Sequence, residues 1–180
     1  MRRDNKKQLK IEYAKALLKT ELSKFIFLAI FFSFAHQGLR FLYALLLFTL
    51  VRLDSGGIHF KSNKVCFFFS FLFFSSLLFF LKELPPYHHL FVLGAICIFP
   101  IFAPVRNRQR PIQSQMQFIK LKLRVSCYAV LVAAVIFYMA YNGHDQLAII
   151  GFWVLILQAL QIVIASAINY TKGRLHHATK

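Results

Sequence analysis

The sequence predicts an all-α fold, a polytopic membrane helical bundle of about six hydrophobic segments forming a single domain over residues 1–180. Three observations predict it. Hydrophobic residues make up 58% of the chain, with 22 phenylalanines, more apolar surface than a soluble domain of this size can hide. These residues come in runs, at 22–35, 39–53, 65–81, 90–105, 125–141 and 147–168. The charges fall between the runs and are shared unequally by the two sides that the runs define. Of the 22 Lys and Arg, 20 belong to residues 1–24, 52–64, 106–124 and the C-terminal tail, whereas the other side holds Arg40 and Lys82. The positive-inside rule then places both termini and the 52–66 loop in the cytoplasm of a multi-pass cell-membrane protein.

Each segment has its own justification. Residues 1–24 carry charge throughout, so a cleavable signal peptide is not expected. Within 9–24, Ile11, Ala14, Leu18 and Leu22 recur at three- and four-residue steps with lysines on the other faces. That is a cytoplasmic amphipathic lead-in, lying in the headgroup layer or extending the first span inward. The first two runs are short, either tilted spans or a re-entrant hairpin, and Lys24 and Arg40 must snorkel to an interface. The third, fourth and fifth runs are adequate for crossing, and the sixth, 22 residues, reaches roughly 33 Å as a helix. The Phe-rich stretch 67–80 reads as a lipid-facing helix. Cys97 and Cys127 lie in apolar runs and read as small buried hydrophobes. No cysteine or histidine spacing marks a metal site, no cofactor is implied, and His88, His89, His144, His176 and His177 read as solvent-exposed.

The net charge of +16 does not read as nucleic-acid binding, because the charges punctuate apolar spans and do not build a soluble basic face. Anionic membrane lipids and an acidic peptide are the partners it fits. A second copy of the chain, as a homodimer, is compatible with it.

One stretch is polar, glycine-rich and chemically equipped at once: "VRLDSGGIHFKSNKVC", residues 51–66. A cysteine attacks as its thiolate, and a free thiol is only a few per cent ionised at neutral pH. His59 is the base within reach, and Cys66 falls in the first turn of the third span, where the helix dipole favours negative charge. Were 59–66 one helix, the two groups would stand about 10 Å apart along its axis, so a bend between Phe60 and Lys64 must fold His59 back over Cys66. Gly56 and Gly57 permit such backbone, and Ser62 or Asn63 can cap the third span. Asp54 either orients His59 or pairs with Arg52. Arg52 either binds a substrate carboxylate or braces the loop.

This block, Arg52, Gly57, His59 and Cys66 in "RLDSGGIHFKSNKVC", together with "FAPVRNRQRPIQ" and its Arg110–Pro111, resembles the accessory gene regulator B family of bacterial quorum-sensing peptidases. The resemblance covers most of the chain. It implies an integral membrane cysteine endopeptidase with a His59/Cys66 dyad, supported by Arg52 and Gly57. It also implies a substrate: a small propeptide with an amphipathic leader and an acidic tail, cut through a thioester and cyclised to a thiolactone or lactone. Arg106, Arg108, Arg110, Lys120, Lys122 and Arg124, in the basic 106–124 loop, would attract the acidic tail; the alternative is that they only set topology. The rival class is a non-enzymatic cationic membrane protein: a channel, pore former or scaffold. Its best support is the polar set Gln158, Gln161, Ser166 and Asn169 in the sixth run, although hydrogen bonding inside a bundle also accounts for it.

Overall fold

The structure is a computed structural model that describes residues 22–56, 62–105 and 115–178. Among the described residues there are six helices and no strand. They are α1 (Leu22–Phe34), α2 (Gly38–Ser55), α3 (Asn63–Ser75) with a π-helical continuation (Ser76–Phe80), α4 (His88–Phe102), α5 (Gln115–Tyr141) and α6 (Asp145–Ala178). The lead-in at 9–21 lies outside the described residues.

The helix ends show why the elements stop where they do. At the end of α5 the His144 N–H reaches the Met139 carbonyl (2.9 Å) and the Gly143 N–H reaches that of Ala140 (3.1 Å), with Gly143 at φ 75°. That pattern caps orphan carbonyls and needs a left-handed residue, which glycine supplies without steric cost. The α1–α2 turn repeats it with His36 at φ 56°: Gln37 N–H bonds Phe32 O at 2.8 Å and His36 N–H bonds Ser33 O at 3.0 Å. The π segment closes with the Leu81 N–H on Ser76 O, ahead of Leu84-Pro85-Pro86, which cannot continue a helix.

Helices α5 and α6 pack together, and α2 and α4 each lie against both. The α2–α6 pair is parallel: Arg40 Nη2 donates to Gln146 Oε1 and Arg52 Nη1 to Gln161 Oε1, and midway a Cβ on Gly151 would lie 2.8 Å from Ile136 of α5 and 3.3 Å from Leu47 and Tyr43 of α2. Helix α4 also runs parallel to α6: His88 faces Phe152, and fourteen residues on Ser166 Oγ donates to the Phe102 carbonyl at 3.4 Å. On the other flank a ladder of aromatic rings joins α1 and α2 to α3, with Phe27–Phe67, Phe31–Phe71, Phe41–Phe74 and Phe48–Phe73 centroids 5.0–5.4 Å apart. Each such edge-on or tilted pair contributes about 0.5–1.5 kcal/mol beyond its burial.

Helices α5 and α6 contain 27-residue stretches, Gln115–Tyr141 and Asp145–Thr171, long and apolar enough to cross a membrane. The outward faces are apolar as well, as at Leu39, Phe68, Ile101, Leu123, Phe137 and Leu160. The third and fourth runs form the shorter apolar helices Lys64–Phe80 and His88–Phe102, which stop before the Pro-Pro and Ala-Pro sequences. Other expectations need correction. Cys97 and Cys127 are exposed on outer faces: an apolar run in such a bundle has a lipid side as well as a core side. The 67–80 stretch is only partly outward-facing, since Phe74, Leu77 and Leu78 are buried in the core. Lys24 is tucked in at 9% exposure and does not reach outward. His88 is half-buried against Phe152.

Candidate active site

The third span begins with Ser62 at the N-cap position, in extended backbone, but its side chain makes no capping bond. Cys66 is the fourth residue of α3. Its N–H donates to Ser62 O (3.1 Å) and its carbonyl accepts the Ser70 hydroxyl (3.0 Å). The thiol is free and half-exposed. The amides of the turn before it are among those that an α-helix leaves without an internal partner.

The ring ladder sets the height of Cys66 against α2. Phe48 packs on Phe73 at 5.0 Å and on Phe74 at 5.6 Å, and the two helices are antiparallel. Seven residues on from Phe48 is Ser55, and seven back from Phe73 is Cys66, each about 10 Å along its axis. Phe74 packs on both Phe41 and Phe48, so these contacts bring the C-terminus of α2 and the first turn of α3 to within about one helical turn of each other along the bundle.

At that level α2 ends in a buried knot. Gly56 takes φ 74°, and a Cβ there would lie 3.2 Å from the Val105 carbonyl oxygen. The Val105 N–H donates to Ser55 O at 3.0 Å. Ala103, Pro104 and Val105 are all buried, so the chain leaving α4 turns in against the end of α2. Ser55 is at 0% exposure, as is Gln158 of α6, whose Nε2 lies 3.5 Å from Ser55 Oγ. Gln158 Oε1 is buried with no hydrogen-bond partner among the described residues. A buried acceptor left unmatched costs about 1–3 kcal/mol. One turn away, Arg52 donates to Gln161 at 2.7 Å, with its guanidinium carbon 5.2 Å from the Phe48 ring centroid.

The knot is where the two sequence blocks meet. The glycine pair opens the block that ends at Cys66, and Ala103-Pro104-Val105 opens the basic block. Five residues join Gly56 to Ser62. His59 and Gly57 lie outside the described residues, and so do Arg106, Arg108 and Arg110. Lys120, Lys122 and Arg124 are described, and they correct the expected 106–124 loop: α5 starts at Gln115, so these three cations are helical. Gln, Lys, Leu and Arg are good helix formers, and a span read from its apolar residues alone starts too late. Lys120 and Arg124, four apart, share an exposed face; Lys122 does not, and is half-buried. Among the described residues no three His, Cys, Asp or Glu side chains come together to hold a metal ion.

Gln161 and Ser166 spend their polar atoms on neighbouring helices, as bonding inside a bundle requires. Ser55 went unnoticed in the sequence, although the buried stripe Phe41, Ala44, Phe48, Val51 leads to it at helical spacing.

Two membrane-length apolar helices and a half-exposed thiol in the first turn of α3 suggest a membrane protein with a candidate nucleophile at one end. The family model for accessory gene regulator B matches residues 1–162, and the chain belongs to that family. It is 28% identical over 174 residues to an AgrB-like protein of Clostridium beijerinckii, covering 94% of this chain and 82% of that one. No solved structure matches the chain. Membership assigns the protein to accessory gene regulator quorum sensing and its peptide processing.

Proposed function

We propose that the chain is a membrane cysteine endopeptidase that cleaves a small autoinducer propeptide and closes it into a ring, with Cys66 as nucleophile and His59 as general base. What supports this reading is that Cys66 lies half-exposed in the opening turn of α3, which the ring contacts between α2 and α3 put within about one helical turn of the Ser55–Gly56–Val105 knot, from which the chain leads into both motif segments. Cys66 Sγ attacks the scissile carbonyl while His59 takes the thiol proton. The tetrahedral intermediate collapses with cleavage of the C–N bond, and His59 returns the proton to the departing amine of the acidic tail. A thiol or hydroxyl of the peptide then attacks the thioester and releases Cys66, which takes back a proton. The ring closes as a thiolactone or lactone. Amides at the start of α3 supply donors for the developing oxyanion. A partly shielded site favours this exchange over hydrolysis.

Arg106, Arg108, Arg110, Lys120, Lys122 and Arg124 draw the acidic tail toward Cys66, and Gly57 keeps the turn that brings His59 round. The unequal distribution of cations supports a cytoplasmic position for this end of the bundle. The channel reading loses its best support, because Gln161 and Ser166 are bonded across helices and do not line a pore.

The test uses the full chain reconstituted in vesicles with a synthetic peptide carrying an amphipathic leader, a central cysteine and an acidic tail. Wild type should cut the peptide and show an acyl mass shift on Cys66. Cys66→Ser and His59→Ala should each abolish cutting while the protein still inserts, and full processing by either would refute the dyad. Reversing Arg108 and Arg110 to Glu should slow cutting, and a peptide with a basic tail should restore it.

A further inference from the structure

The polar residues of α6 are satisfied in different degrees. Gln146 receives Arg40, Gln161 receives Arg52 at 2.7 Å, and Ser166 gives its hydroxyl to Phe102 O. Gln158 differs from these: it is at 0% exposure, its Nε2 has a long contact to Ser55, and its Oε1 has no partner among the described residues. Packing alone does not call for an amide there. Leu155, Ala159 and Ile162 around it on α6 are buried and apolar, and methionine would fill nearly the same shape. A buried polar group in an apolar bundle carries a standing cost, so what hangs from it matters.

Two motif segments hang from Gln158. It contacts Ser55, and Ser55 O holds the Val105 N–H at 3.0 Å. Gly56, next in the chain, takes φ 74° with a Cβ position only 3.2 Å from Val105 O, so any side chain there is strained and crowds Val105. The chain that leads to His59 leaves from Gly56, and the chain that leads to Arg106 leaves from Val105.

We propose that Gln158, acting through Ser55, is a positioning residue for the Cys66 chemistry: it fixes the shared point from which the nucleophile segment and the basic segment depart. The inference rests on the peptidase reading above. It makes α6 a working part of the site, although α6 touches neither His59 nor Cys66 in sequence. It also gives the amide a purpose that shape does not, since the contact to Ser55 is polar and aims the end of α2.

The experiment compares wild type, Gln158→Met, Gln158→Glu and Ser55→Ala in the reconstituted full chain, in a Cys97→Ser/Cys127→Ser background. Cleavage of the synthetic peptide described above gives kcat and KM; iodoacetamide alkylation of Cys66 across pH needs no substrate. Misplacement of this kind lowers kcat by about tenfold or more, so Gln158→Met is expected to do so with KM within about twofold and no loss of melting temperature. Gln158→Glu, which keeps an acceptor of the same reach, should recover part of the rate. Ser55→Ala should match Gln158→Met, and the double variant should be no worse than either. Should Gln158→Met fail to insert, Ser55→Ala carries the same expectation. Unchanged kcat and an unchanged alkylation profile in both variants would overturn the proposal, and so would a loss that merely tracks the folded fraction. If wild type cuts no peptide, the peptidase reading falls and alkylation decides: a shifted profile supports positioning, an identical one ends it.

Discussion

At one end of α2, Arg40 donates to Gln37 and to Gln146 of α6; at the other, Arg52 donates to Gln161 of the same helix. The two arginines make the same kind of bond, yet their surroundings differ. Around Arg40 the chain closes on itself: the α1–α2 turn is held by backbone bonds between residues three to five apart. Around Arg52 closure is long-range. Ser55, Val105 and Gln158 come from three distant parts of the chain and meet at zero or near-zero exposure. A locally closed end tolerates change because each turn specifies itself. An end assembled from distant pieces passes any displacement to all of them, and here two of the pieces lead into the motif segments.

The largest expected effect comes from two glycines that share a conformation and not a setting. Gly56 and Gly143 have φ of 74° and 75° at opposite ends of the bundle; a Cβ on Gly56 meets Val105 O at 3.2 Å, and one on Gly143 meets nothing within 4 Å. Gly56→Val and Gly143→Val should each cost about 1–3 kcal/mol for forcing a β-branched residue into left-handed backbone. Only Gly56→Val should also cut peptide processing, by about a hundredfold, because it pushes the α2 end away from Val105. Melting curves and cleavage rates on the same preparations check this, and equal processing losses at both sites would erase the distinction between the ends.

The glycines also mark how much could be read from the chain. Runs of apolar residues located all six helices, since lipid and core select alike for such residues. That same indifference misplaced Cys97 and Cys127, which lie outside the core, and took Lys120, Lys122 and Arg124 for loop, where α5 had already begun. Arg52 and Cys66 could be singled out because their types carry chemistry and their spacing is local, and the family to which their block pointed is the one whose model matches. Ser55 was not, because its role depends on meeting Gln158 and Val105, 103 and 50 residues away. Gln158 and Gln161 stood out as polar residues in a span, but nothing local told a pore from a clasp.

A second pair of substitutions sharpens the comparison with a smaller effect. Arg52→Met removes the bond to Gln161 and the charge over the Phe48 ring, leaving a half-buried amide oxygen short of its donor. The expected loss is about 1.5–3 kcal/mol for a charge-assisted bond, together with at least a tenfold fall in processing. Arg40→Met at the other end breaks two such bonds in a more exposed place, and should change processing by less than about threefold. Arg52→Lys keeps the charge but offers a point donor where the planar guanidinium both bonds an amide and covers a ring; it should recover less than half the lost rate. Full recovery by lysine would show that charge alone is needed at this position and that the Gln161 contact is incidental.

The smallest effect belongs to the far end and tests its independence. Trp153 Nε1 donates to the Glu83 carbonyl at 3.0 Å, tying α6 to the segment between α3 and α4, and its ring stands 5.2 Å from that of Phe152. Trp153→Phe keeps the aromatic edge and deletes the donor. The bond lies at an exposed position, so water can serve the freed carbonyl and the loss should be about 0.5–1 kcal/mol. For a chain of this size that lowers the melting temperature by roughly 1–4 °C. Processing should not change, because the turns at this end are closed by their own backbone bonds and the Cys66 level lies several helical turns away. A fall in processing beyond about twofold would mean that the α3–α4 segment sets the tilt of α3 and hence the placement of Cys66, and the two ends would then have to be treated as one mechanical unit.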